Sequence, residues 1–290
     1  MTLVLSGMAR IAHLSDLHFG AHDDRLVEAV EARIDALKPD LIVISGDFTQ
    51  RARTDQFKLA CQFLERLKTK GHEVLGVPGN HDVPLYDVLR RFLSPLTRYR
   101  RFIDESLCPF HELSGAAVLG INTARSLTFK DGRINQQQVD FIRDTFARTR
   151  PGTVRILVTH HPLFALPVGD GPELGKAIGR QQLALDAIAD AGVDLLLAGH
   201  NHRASSHHAH ELVTGAGEAL VIQAGTATST RLREEEQSFN LIEVKPGEAV
   251  LTVLSWDGDK FVSRDAGRFI QKDKRWESAT GEQLAEAPEA

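Results

Sequence analysis

The strongest constraint on the fold is a short apolar run, residues 41–45 (LIVIS), held between Pro39 and Gly46. A run with no polar face over its first four residues suits a central strand buried on both sides. Strand-like runs recur at residues 10–15 (RIAHLS), 73–77, 116–121, 154–159 and 193–198. Between them, apolar residues repeat at helical spacing: Leu26, Ala29, Val30, Ile34 and Leu37, then Phe57, Ala60, Cys61, Leu64 and Leu67, then Val139, Ile142 and Phe146. Residues 183–191 read as a further helix, and Pro39 and Gly71 mark helix ends. Strands alternating with helices require right-handed crossovers and a largely parallel sheet. From residue 219 the texture changes. Runs at 219–223, 239–244 and 249–254 have little helix between them and predict a second, more antiparallel sheet. The expected body is a layered β-sandwich flanked by helices.

The 290 residues suffice for one large domain or two small ones, and 42% hydrophobic with 25% charged residues is ordinary globular composition. No apolar run approaches the roughly 18 residues of a membrane span. The first eight residues (MTLVLSGM) lack the basic start of a signal peptide, and Met8 is an alternative start to Met1. Two cysteines, Cys61 and Cys108, stand in no metal or redox spacing, so a cytoplasmic location is expected. A net charge of -5 argues against a protein held on nucleic acid by bulk charge. The domain is expected to run over 8–270. Within it, residues 84–112 form an insertion, helical from Leu89, Phe92 and Leu93 and basic from Arg90, Arg91, Arg98, Arg100 and Arg101. Residues 271–290 read as a loose polar tail.

Metal-capable side chains follow the predicted strands, where an open α/β sheet places its ligand sites. Asp16-Leu17-His18 follows the first, Gly46-Asp47 the second, and Gly79-Asn80-His81-Asp82 the third; His160-His161-Pro162 and Gly199-His200-Asn201-His202 come later. A carboxylate, imidazole and amide set suits Mn, Fe, Co or Zn rather than Ca or a thiolate-selected metal. Asp16, His18, Asp47, Asn80, His160, His200 and His202 exceed what one tetrahedral site can use, so two divalent ions fit better than one. With Asp47 bridging, each ion keeps about four protein ligands and an open position for water.

These five blocks, D-x-H, GD, GNHD, H and GHxH in this order, resemble the calcineurin-like metallophosphoesterase superfamily over residues 16–202. The resemblance implies a four-layer αββα sandwich, an α/β (α+β) fold with two mixed sheets flanked by helices. It implies one ion on Asp16, His18, Asp47 and His202, and the other on Asp47, Asn80, His160 and His200. Residues 160–162, the length, and the segments around 225–229 and 239–241 resemble the class III cyclic-nucleotide and glycerophosphodiester phosphodiesterases.

The expected activity is hydrolysis of a small-molecule phosphodiester by in-line attack of a hydroxide held between the ions. His81 is the candidate general acid, with Asp82 holding its ring. A nucleotide-linked lipid pyrophosphatase, a phosphomonoesterase and a nuclease are the enzymatic alternatives; a metal-free interaction module is the non-enzymatic one. A lipid substrate would call for an apolar groove, for which Phe92, Leu93 and Leu96 are the candidates. His13 reads as a packed, hydrogen-bonded histidine. His161 reads either as a substrate contact or as an orienter of its loop, and His22 as a solvated loop residue. His207, His208 and His210 read as loop lining, and the arginines of 90–101 as the wet face of a helix. Asn122 and Arg125 could approach the substrate, residues 167–179 could form a mobile lid, and the C-terminal strands could pair across a homodimer.

Overall fold

The computed structural model describes residues 7–127, 131–166, 177–202, 204–208, 218–230 and 236–279. Its first sheet is nucleated by three parallel strands, β1 (Ala9–Leu14), β2 (Leu41–Ile44) and β3 (Val74–Gly76). Their crossovers carry α1 (Asp24–Leu37) and α2 (Thr54–Thr69). Asp23 caps α1 by accepting from the Arg25 backbone N–H, and Lys38 closes it in the left-handed region just before Pro39. The apolar stripe of α1 is buried at Leu26, Val30, Ile34 and Leu37, and that of α2 at Phe57, Ala60, Leu64 and Leu67.

The insertion after β3 holds two short helices, α3 (Val88–Leu93) and α4 (Thr97–Phe102). It ends sooner than expected, because residues 110–112 form β4 (Phe110–Glu112) of the second sheet. That sheet runs β4, β5 (Ala116–Gly120), β6 (Val154–Val158), β7 (Leu195–Ala198), β9 (Leu220–Gln223) and β8 (Ser205–His208). Its four central strands are parallel and both edges antiparallel. Helices α5 (Gln136–Ala147) and α6 (Gln181–Ala191) cover it.

The C-terminal strands do not make a separate sheet. β10 (Ser238–Lys245) pairs antiparallel with β1 and takes its open edge. β11 (Glu248–Trp256), β12 (Phe261–Lys272) and β13 (Arg275–Ser278) continue from it as a meander. The segment 219–223 belongs to the other sheet, beside β7. The tail also begins later than expected. Residues 271–278 end β12 and form β13, where Trp276 is buried in the core; only 280–290 lie outside the described residues.

Alternation along each strand fixes three apolar layers. Ile11, Leu41, Val43, Val118, Ile156, Leu197, Ile222 and Ile242 fill the space between the sheets. Ala12, Leu14, Ile42, Ile44 and Leu241 face α1, α2 and α4, while Leu119, Leu157 and Leu196 face α5 and α6. The result is a four-layer α/β/β/α body with two mixed sheets, as the family resemblance implies. The parallel strands of both sheets end on one side, and their following loops gather there.

Candidate metal centre

Backbone geometry singles out these loops before any side chain is considered. Asp16, His18, Asp47, His200 and His202 all have positive φ, between 48° and 72°. Non-glycine residues rarely adopt that left-handed region, and it costs roughly 1–2 kcal/mol per residue. The chain turns back immediately after each strand and aims the side chain across the gap between the sheets. Gly46 (φ 94°) makes the second turn; a Cβ there would lie 2.5 Å from His160 Nδ1. Gly79 is needed for space instead, since a Cβ would lie 2.1 Å from Asp47 Oδ1.

The seven residues expected as ligands converge in two groups that meet at Asp47. In the first, His202 Nε2 lies 3.2 Å and His18 Nε2 3.6 Å from Asp16 Oδ1, with the two ring nitrogens 3.3 Å apart. Asp16 Oδ1 is buried and accepts no hydrogen bond. Its Oδ2 is held by Ser15 Oγ at 2.6 Å and the His200 backbone N–H at 3.0 Å. In the second, Asn80 Oδ1 lies 3.1 Å from both His160 Nε2 and His200 Nδ1, which are 3.3 Å from each other. Asp47 Oδ2 sits between the groups, 3.5 Å from His160 Nε2 and 3.9 Å from His18 Nε2.

Protonation follows from the partners. His160 Nδ1 is 2.8 Å from the Ser45 carbonyl, which can only accept, so the ring proton sits there and Nε2 presents a lone pair to the centre. Burial pushes the His18 and His200 imidazoles down, His200 to about 4. Burial pushes the Asp16 carboxyl up, but His202 and His18 outweigh it and hold it well below the usual carboxylate range. At Asp47 burial also acts upward and is outweighed by His160, His81 and His18. Neutral imidazoles beside ionised carboxylates are the state in which such groups bind a cation. An unbonded buried carboxylate oxygen and paired ring nitrogens at 3.3 Å are a donor set that divalent ions fit.

The neighbours of this set correct one expectation and supply residues the sequence reading missed. Asp82 does not hold the His81 ring. Its carboxylate accepts from the backbone N–H of Phe48, Thr49 and Gly79 and from Thr49 Oγ1, at 2.9–3.2 Å, clamping the turn after β3 to the turn after β2. Burial and the charge of Asp47 push Asp82 up to about 6. The His81 ring is oriented by Gln50, whose carbonyl lies 2.8 Å from Nδ1. The ring stands edge-on to His18 with centroids 4.9 Å apart, and the His81 backbone N–H donates to Asp47 Oδ1 at 2.8 Å. Thr226 Oγ1 donates to the Asp16 carbonyl and Thr228 Oγ1 to the Leu17 carbonyl, both at 2.8 Å. They brace the strained first loop from more than two hundred residues away, a contact for which local sequence carries no signal.

His13 is buried with Nε2 2.9 Å from Ser45 Oγ, and burial pushes its imidazole down to about 3. His161 packs against His160 and His200, with Nδ1 2.8 Å from Thr123 Oγ1. His22 is half-buried rather than solvated, against Phe19 and near Asp24. Asn122 and Arg125 line a cavity of about 400 Å³ with Val83, next to the 80–82 turn. His207 lies on β8; His210 and residues 167–176 lie outside the described residues.

Known proteins point the same way. The calcineurin-like phosphoesterase family model matches residues 9–204. A probable cyclic nucleotide phosphodiesterase of Fibrobacter succinogenes is 26% identical over 167 residues, 53% of this chain and 57% of that protein. The glycerophosphodiester phosphodiesterase GpdQ of Enterobacter lignolyticus is 30% identical over 83 residues, 25% of this chain and 29% of that one. The chain therefore spans little more than half the length of the first of these relatives and less of the second. The purple acid phosphatase PPD1 of yellow lupin (Lupinus luteus) seeds superposes with a TM-score of 0.69 at 13% identity, over 90% of this chain and 53% of that one, which speaks to the fold alone. With the loops, their order and the family match in agreement, the chain belongs to the calcineurin-like phosphoesterase family.

Proposed function

We propose that the chain is a metal-dependent phosphodiesterase acting on an ester of the cyclic-nucleotide or glycerophosphodiester type, in the cytoplasm, with two ions sharing Asp47. The observation that carries this reading is the placing of Asp47 Oδ2 between His18 and His160 while Oδ1 is tied to the turn that bears His81. Asp16, His18, Asp47 and His202 would hold one ion; Asp47, Asn80, His160 and His200 would hold the other. Bound Mn, Fe, Zn or Co ions supply Lewis acidity toward phosphoryl oxygens and ease the deprotonation of water near neutral pH. The chain's own residues orient and move protons. The Ser45 carbonyl keeps the His160 proton on Nδ1 and out of the centre. His81 Nδ1 is committed to the Gln50 carbonyl, so Nε2 is the atom at which a proton is taken up and handed to the leaving alcohol. A diester is favoured because the two relatives described above are themselves named as phosphodiesterases.

The test is metal analysis joined to a substrate panel. Wild-type protein is expected to take up about two equivalents of manganese or zinc, and Asp47→Asn to lose both ions together. An aryl phosphodiester should turn over faster than the matching monoester. One ion untouched by Asp47→Asn overturns the shared centre, and a monoester faster than every diester overturns the substrate class.

A further inference from the structure

Eleven large apolar side chains are exposed among the described residues, and six of them crowd into 85–93: Leu85, Tyr86, Val88, Leu89, Phe92 and Leu93. Leu89 and Leu93, one turn apart on α3, are 76% and 81% exposed. A helix resting on a sheet turns such residues inward; α3 carries them outward. The segment is nonetheless fastened to the body. Arg91 is buried and donates to the Ser126 carbonyl at 2.7 Å and the Pro84 carbonyl at 3.0 Å, and Tyr99 of α4 is buried against Phe48.

Charge accompanies the apolar face. Residues 84–107 hold five arginines, no lysine and three acidic residues, in a chain of net charge -5. Arg100 and Arg101 are exposed and meet no carboxylate among the described residues, and Arg51 lies 5.8 Å over the Tyr86 ring. The same face borders the 400 Å³ cavity, whose walls include Leu93, Leu96, Arg100 and Arg125. An apolar patch rimmed by arginine and tyrosine matches the boundary between acyl chains and anionic headgroups. A two-fold contact between copies would set one arginine rim against the other, a like-charge arrangement that opposes pairing.

We propose that this face seats the protein on an anionic lipid surface, with Leu89 and Phe92 entering the acyl boundary and Arg100 and Arg101 meeting headgroup phosphates. The inference goes beyond the hydrolytic reading and does not need it. The experiment is co-sedimentation of the full chain with vesicles of phosphatidylcholine containing about 30% phosphatidylglycerol, and with phosphatidylcholine alone, at low and high salt. Binding is expected to the anionic vesicles, to weaken with salt, and to fall at least about tenfold in the double variant Leu89→Ser/Phe92→Ser. Arg100→Gln/Arg101→Gln should remove most of the salt dependence. The Leu89→Ser/Phe92→Ser variant should keep wild-type metal content and wild-type turnover of a soluble aryl diester, so failure of hydrolysis and failure of docking read out separately. Absence of binding to anionic vesicles overturns the proposal, as does binding that ignores both lipid charge and the double variant. Sedimentation equilibrium showing a wild-type dimer that the serine variant dissociates, without vesicle binding, assigns the face to a second copy instead.

Discussion

Replacing Gly79 by alanine tests how the centre is assembled, because the added methyl meets parts that cannot move aside. Gly79 has an ordinary φ of -100°, so the effect is steric and not conformational. The new Cβ would lie 2.1 Å from Asp47 Oδ1 and 2.4 Å from the Asp47 backbone nitrogen. Ordinary contact requires the two turns to separate by about 1 Å. That shift stretches the His81 N–H bond to Asp47 (2.8 Å) and the Gly79 N–H bond to Asp82 (3.0 Å). Overpacking costs about 1–3 kcal/mol, and weakening a charge-assisted hydrogen bond about 1.5–3 kcal/mol. The combined loss is about 2.5–6 kcal/mol, a large part of a total stability of about 5–15 kcal/mol. Since both turns carry proposed ligands, manganese affinity should fall by at least about tenfold, equivalent to about 1.4 kcal/mol. Urea unfolding of metal-free protein measures the first quantity and titration calorimetry with manganese the second. Stability within about 0.5 kcal/mol of wild type, together with unchanged manganese affinity, would refute the reasoning.

Three further outcomes follow from contacts already described. Thr226→Val and Thr228→Val each leave a buried carbonyl without its donor and should cost about 1–3 kcal/mol, with a parallel loss of metal affinity that calorimetry detects; unchanged affinity would show that the first loop holds its shape unaided. His81→Ala should lower kcat by about 10²–10⁴ while metal content, measured by elemental analysis, stays at the wild-type level; loss of metal would make His81 a ligand. His13 is held near 3 when folded against 6.5 when free, so the unfolded chain takes up its proton first as pH falls. Its contribution is therefore complete above about 6.5 and is lost between there and about 3, by up to 1.4 kcal/mol per pH unit. The difference in unfolding free energy between wild type and His13→Asn should follow that slope between pH 6 and pH 4.5, in about that range; parallel curves would sink the assignment.

Much of the body could be read from the chain because continuous apolar runs mark strands buried on both faces and helical periodicity marks helices buried on one. Residues 41–44 and the stripe of α1 are examples. The β12 strand escaped because an outer strand with one wet face mixes Ser263, Arg264 and Arg268 with Phe261 and Phe269, and its pairing with β11 slips at Val253/Leu254. The β13 strand is polar except for Trp276, whose burial depends on its neighbours. In the centre, the residues that converge were legible because carboxylates and imidazoles at strand ends have a chemical signature. The orienting groups were not, because the Ser45 and Gln50 oxygens are backbone carbonyls, which every residue possesses. Asp82 was misread for a related reason: adjacency to His81 along the chain suggested contact, whereas the tight turn directs its carboxylate at Phe48 and Thr49.

The left-handed torsions at Asp16, His18, Asp47, His200 and His202 carry an evolutionary corollary. At each of these positions glycine would relieve the backbone, so selection for a sturdier molecule and selection for cation capture pull in opposite directions. A descendant released from its chemistry should shed these five side chains early, with glycine or asparagine replacing them while the surrounding hydroxyl braces persist. Such a replacement pattern among distant cousins would mark where hydrolysis had been abandoned.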